Sequence, residues 1–160
     1  MADSKVEERL AAEGLQVPEV AVPVASYVPA VISGNYVYTS GQIPVQNGEF
    51  AVKGKVSDGG EPGTVGLEDA QGQARVCALN TLAAVKSVIG DLDRVTRIVK
   101  VTGFVSSVPD FTGQAQVLNG ASELYGKAFG DAGVHARSAV GVAVLPLDVP
   151  VEVELIVEFA

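Results

Sequence analysis

One arginine near the C-terminus opens an otherwise apolar run, and the run that follows carries three glutamates on one face. Arg137 opens the run ARSAVGVAV and shares a strand face with Ala139, Gly141 and Ala143, while Val140, Val142 and Val144 point the other way. In VEVELIVEF, Val151, Val153, Leu155, Val157 and Phe159 share one face, opposite Glu152, Glu154, Ile156 and Glu158. A guanidinium among small apolar side chains has the setting of a pocket wall, where its planar fork suits bidentate recognition of a carboxylate. The same pattern also fits an arginine paired with one of those glutamates, or one at a solvated strand end.

Spacing adds a constraint. A tight hairpin about Leu147 would set Glu152 opposite Ala143, some six residues or roughly 20 Å from Arg137 at about 3.3 Å per residue. A site that uses both residues is then better completed by a neighbouring chain, at a subunit boundary.

Other chemistry-bearing residues point to quieter roles. His135 is the only histidine, so there is no histidine metal cluster; it reads as a loop residue before a strand, with a supporting place near the Arg137 site left open. Cys77 falls on an apolar helix face and reads as core or interface. No Ser/His/Asp set assembles around Ser40, and the glycines of VISGN and SDGGEPG form no phosphate loop. Glu154 and Glu158 read as a solvated or cross-chain-paired edge, and Tyr36, Tyr38 and Phe104 as packing residues. Neither a metal nor a cofactor is called for.

The elements that must carry these residues follow from periodicity. Asp3 or Ser4 can cap a helix from Lys5 to about Ala12, ended by Gly14. An irregular extended stretch follows, then a hairpin about Gly34-Asn35 whose return strand runs from Tyr36 to Gln42. GEFAVKGKV adds a short strand at most, and KVSDGGEPGTVG is a surface loop. Ala70, Ala74, Cys77, Ala78, Leu82, Val85 and Ile89 line one face of a long helix broken at Gly90. A strand, RVTRIVKVTGFVSS, leads to a second long helix with Asp110 as its N-cap. Two strands, Arg137 to Val144 and Val151 to Phe159, flank the Leu145–Asp148 turn. The order predicts an α+β fold, one domain over residues 1–160 with 1–16 as a helical extension, and both long helices on one face of a mixed sheet.

The other sheet face needs a cover. The chain is 48% hydrophobic with a mean hydropathy of +0.31, yet no apolar run reaches the ~18 residues of a membrane span. Self-association is the economical solution. A net charge of −8 with scattered basic residues makes a nucleic-acid partner unfavourable. One cysteine and a charged, helical N-terminal stretch point to the cytoplasm.

YTSGQIPV, DF…VLN and HARSAVGVAVLPLDVPVEVE together resemble the YjgF/RidA family of reactive-intermediate deaminases, also called endoribonuclease L-PSP, from about Tyr27 to Glu158. The resemblance implies a chorismate-mutase-like fold assembled as a homotrimer with intersubunit clefts. It implies hydrolysis of 2-imino or enamine acids to 2-oxo acids and ammonia, with Arg137 clamping the substrate carboxylate and Glu152 activating water. It further implies that Tyr27, Ser40, Gly41 and Asn119 line the cleft. Ala139 stands where members often carry cysteine, and SYVPAV replaces the usual tyrosine context. With the N-terminal helix, the 53–66 loop and the GQAQ stretch, these departures resemble a divergent YjgF-like branch. A non-catalytic module that binds a small carboxylate such as a 2-oxo acid is the competing expectation. Ribonuclease activity is a weaker one, and chorismate mutase activity rests on fold analogy alone.

Overall fold

The structure, a computed structural model, describes residues 4–23, 25–59 and 61–160. Helix α1 (Lys5–Ala12) begins at Ser4, whose Oγ accepts the Glu7 N–H at 3.1 Å; the alternative cap Asp3 lies outside the described residues. The Asp93 carboxylate accepts the Lys5 and Val6 N–H groups, placing negative charge on the otherwise unpaired donors of the helix start. Val6 and Leu10 are buried in the common core, so the first helix is part of the packed body.

Strands β1 (Ala30–Ser33) and β2 (Tyr36–Thr39) form the expected hairpin, with Gly34 supplying the positive φ of +60° that its turn requires. The return strand stops at Thr39, three residues early, and Gln42 rejoins the sheet only as a bridge to Val153. GEFAVKGKV does not enter the main sheet. Strands β3 (Val45–Gln46) and β4 (Glu49–Phe50) pair around Asn47-Gly48, both at positive φ, as a separate ribbon.

Helix α2 (Leu67–Ile89) buries every apolar residue its periodicity nominated, and Asn80, Thr81 and Gln73 besides. After strand β5 (Val95–Ser106), helix α3 (Gln114–Phe129) starts later than expected. Asp110 is not its cap: a turn closed by the Phe111 N–H to the Val108 carbonyl precedes the helix, and Gln114 donates back to the Phe111 carbonyl. Phe111 is buried, so packing decides where the chain enters the helix.

Strands β6 (Ala136–Val142) and β7 (Val151–Phe159) complete a five-stranded sheet in the order β1-β2-β7-β5-β6, mixed because β6 runs parallel to β5. The hairpin expected about Leu147 does not form. β5 lies between the last two strands and pairs with both. The Leu145–Asp148 turn, with Leu147 and Asp148 both at φ +58°, carries the chain across the end of β5 instead of reversing it. A parallel β5–β6 pair needs a long crossover, which α3 provides.

Both long helices cover one face, as expected. Val101, Val105, Val151, Val153, Leu155 and Val157 point into that layer and are buried. The opposite face carries Tyr38, Phe104, Val140 and Ile156 with no element of the described residues over them; Tyr38 and Val140 are 42% and 45% exposed. The three aromatic residues read as packing residues thus lie on this open face. No helix among the described residues is long and apolar enough to cross a membrane.

The helix layer is held by a close approach at Gly120, where any Cβ would overlap the Gln71 backbone carbonyl of α2. Gly120→Ala is expected to lower unfolding free energy in urea by about 1–3 kcal/mol through overpacking. An unchanged midpoint would show that the helices part at no cost.

Candidate functional site

Arg137 sits on β6 opposite Val101, so its side chain turns toward α3. There the guanidinium Nη1 donates to Asn119 Oδ1 at 2.9 Å and to Ser122 Oγ at 3.0 Å, and Nη2 donates to the Ala115 carbonyl at 3.2 Å. Ala115, Asn119 and Ser122 follow at i, i+4 and i+7, one stripe of the helix. These three bonds use both Nη1 hydrogens and one on Nη2. Nε–H and the second Nη2–H have no partner among the described residues. Two charged donors are thus left over for the oxygens of a carboxylate. The glutamate-paired reading of Arg137 is not what the fold builds, since its protein partners are neutral acceptors on α3.

Glu152 occupies the opposite sheet face, paired with Phe104. Gln42 fastens the preceding loop to β7 by two backbone bonds with Val153, of 2.8 and 3.0 Å. Gly41 thereby lies flat against the Glu152 carboxyl, and a Cβ at this glycine would overlap it. Burial, and then the neighbouring Glu154 carboxylate, push the Glu152 carboxyl above its ordinary pKa. A more basic carboxylate is a better proton acceptor for water.

The Ser40 hydroxyl donates to the Val28 carbonyl at 2.6 Å and keeps only lone pairs for a ligand. Tyr27 shares with Gly41 a concavity of about 290 Å³, walled also by Pro23, Ile43, Phe50 and Leu147. The structure therefore sets Gly41 against Glu152, beside Ser40, with Tyr27 on a concavity that Gly41 also lines, and it joins Arg137 with Asn119 elsewhere. Parity puts Glu152 and Arg137 on opposite faces of one sheet.

A family description, "YjgF/chorismate_mutase-like, putative endoribonuclease", matches residues 7–159. The chain belongs to this family. Among curated YjgF relatives, Protein TCP17 of Trypanosoma cruzi is 40% identical over 99% of this chain and 96% of its own length. The 2-iminobutanoate/2-iminopropanoate deaminase of Salmonella typhimurium is 35% identical, with 83% of this chain and 87% of the relative aligned. Of solved structures, Atu1372 from Agrobacterium tumefaciens, described as of unknown function, matches with a TM-score of 0.88 and 43% identity, covering 98% of this chain and 93% of that one. Escherichia coli TdcF with bound serine matches with a TM-score of 0.57 and 32% identity, covering 90% and 94%. The mixed sheet with helices on one side is thus the YjgF/chorismate-mutase-like α+β fold.

Sequence reasoning missed Ser122 and the Ala115 carbonyl among the partners of Arg137. Their helical spacing from Asn119 was the available signal. Cys77 is fully buried, and burial pushes its thiol well up, with Glu152 adding to the effect, so it is no nucleophile. Among the described residues no group of three or more His, Cys, Asp or Glu could hold a metal ion.

The raised pKa of Glu152 has a measurable sign. An acid whose folded pKa lies above its unfolded value favours the folded state when protonated, and that advantage fades as pH rises from the unfolded to the folded pKa. Glu152→Gln, which cannot ionise, should therefore raise Tm relative to the native chain more at pH 8 than at pH 4. An equal change at both pH values would contradict the shift.

Proposed function

We propose that this chain hydrolyses reactive 2-imino and enamine acids to 2-oxo acids and ammonia, in clefts between the subunits of a homotrimer. The two Arg137 donors without a partner among the described residues carry the reading, because a guanidinium already fixed by three neutral acceptors keeps its charge and those donors for one carboxylate. Support also comes from the family, which includes the Salmonella 2-iminobutanoate/2-iminopropanoate deaminase, and from TdcF, whose bound serine is a small amino acid.

In this mechanism Arg137 holds the substrate carboxylate while Asn119 fixes the guanidinium. Glu152 takes a proton from water as the oxygen bonds to the carbon of the protonated imine and the C=N π pair moves to nitrogen, giving a neutral carbinolamine. Glu152 returns that proton to the nitrogen; the C–N bond then breaks as the hydroxyl yields its proton to Glu152 and the C=O bond forms, releasing ammonia and the 2-oxo acid. An imine is already electrophilic, so orientation and one proton transfer carry most of the demand. Tyr27 and the Gly41 backbone wall the site, and Ser40 offers lone pairs. Because the Glu152 group and the Arg137 group belong to opposite sheet faces, the cleft takes one from each of two neighbouring chains. The uncovered apolar face supports that assembly.

A second reading, carboxylate binding without turnover, is favoured by one departure: Ala139 stands beside the clamp where members often carry cysteine. The ribonuclease reading has less support, since a net charge of −8 opposes approach of a polyanion.

Freshly generated 2-iminopropionate should release ammonia faster with the protein than without it. Arg137→Ala and Glu152→Gln should each lower that acceleration by about 100-fold or more. No acceleration, alongside saturable 2-oxobutyrate binding, would leave the binding reading standing. Light scattering should give a trimer, and a stable monomer at micromolar concentration would remove the intersubunit cleft.

A further inference from the structure

Behind Arg137 runs a second layer of hydrogen bonds that ends at the sole histidine. We infer that Ser122 and His135 are positioning residues that fix the plane of the Arg137 guanidinium, an inference that rests on Arg137 being the carboxylate clamp.

Proton directions follow from chemistry. The Gly133 carbonyl can only accept, so His135 Nδ1, 2.6 Å away, carries the hydrogen. In the neutral ring Nε2 then presents a lone pair, and it receives the Ser122 hydroxyl at 2.9 Å. Having given its one proton to histidine, Ser122 meets Arg137 with lone pairs and accepts Nη1–H at 3.0 Å. Every bond in the sequence Arg137, Ser122, His135, Gly133 thus points the same way. Ser122 keeps no proton for a ligand, so its influence on binding passes through the guanidinium.

The far end of this chain is rigid. Gly133 is buried against the C-terminal part of α3 so tightly that a Cβ would overlap the Tyr125 carbonyl. The His135 ring stands edge-on to Tyr125, with centroids 5.9 Å apart and planes at 89°. Tyr125 is itself fully buried and bonded to Thr81 Oγ1 at 2.7 Å. A core aromatic therefore sets the ring, the ring sets the serine proton, and the serine lone pair sets one Nη1 hydrogen. Asn119 takes the other, and a planar group held at two hydrogens of one nitrogen cannot twist about its axis. Turning it would swing its unpaired donors away from a bound carboxylate.

Four variants of the full chain test this. Binding of 2-oxobutyrate is read by calorimetry, KM and kcat with 2-iminopropionate, and Tm as a check on folding. Ser122→Ala and His135→Asn should each weaken binding by about 5- to 10-fold, less than the full effect of a lost bond to a charged group because Asn119 and Ala115 still hold the guanidinium, and raise KM with little change in kcat. Asparagine retains a donor for the Gly133 carbonyl but cannot reach Ser122. His135→Gln places an acceptor oxygen where Nε2 stands, and should recover binding to within about 2-fold of the native chain. Ser122→Ala matching the native chain, or His135→Gln as weak as His135→Asn at equal Tm, overturns the positioning role while the clamp stands. Arg137→Ala that binds 2-oxobutyrate normally overturns the clamp and the relay with it.

Discussion

Alternate side chains of a strand point to opposite faces, and in this molecule that parity separates the two groups that could do chemistry. Arg137 is in register with Val101 and Leu155, residues of the helix-covered face, whereas Glu152 is in register with Phe104 and Val140 on the open one. No rotamer brings a side chain through a hydrogen-bonded sheet. Insertion of β5 between β6 and β7 thus leaves each chain with two incomplete halves of the proposed site. The proposed chemistry then requires association of chains, which would also cover the open apolar face.

The halves are prepared in different ways. The arginine is preorganised by spending three donors on neutral acceptors of α3, which leaves two donors for a ligand without cancelling its charge. Glu152 is prepared by crowding: Gly41 is pressed against it, and burial and Glu154 disfavour its ionised form. Carboxylate recognition needs the first kind of environment, and proton acceptance from water gains from the second. Both depend on glycine, in that Gly41 makes room for the glutamate and Gly133 anchors the histidine behind the arginine.

Much of this was legible in the residues. Period-2 alternation located β7 and its buried face, and period-3.6 spacing located α2 with its buried residues. The failures share a cause. Whether two consecutive strands pair with one another is not written in either strand, so the Leu147 turn read as a hairpin when it is a crossover above β5. Asp110 has the chemistry of a helix cap, but burial of Phe111 delays the helix. Ser122 shares a helix stripe with Asn119, but only the pairing of β6 with β5 brings that stripe under Arg137. Contacts within an element can be read from spacing; contacts between elements depend on sheet order, which a single sequence leaves open.

Subunit complementation tests the divided site most directly. Arg137→Ala chains and Glu152→Gln chains, each inactive as a pure assembly, would be unfolded together, refolded as mixed oligomers and assayed for ammonia release from 2-iminopropionate. If each cleft takes Arg137 from one protomer and Glu152 from the next, random mixing at equal ratio restores about one quarter of native activity, since about one cleft in four receives both intact residues. A mixture as inactive as its two parents, with the native chain active after the same refolding, would show that the two residues act from a single chain or not together.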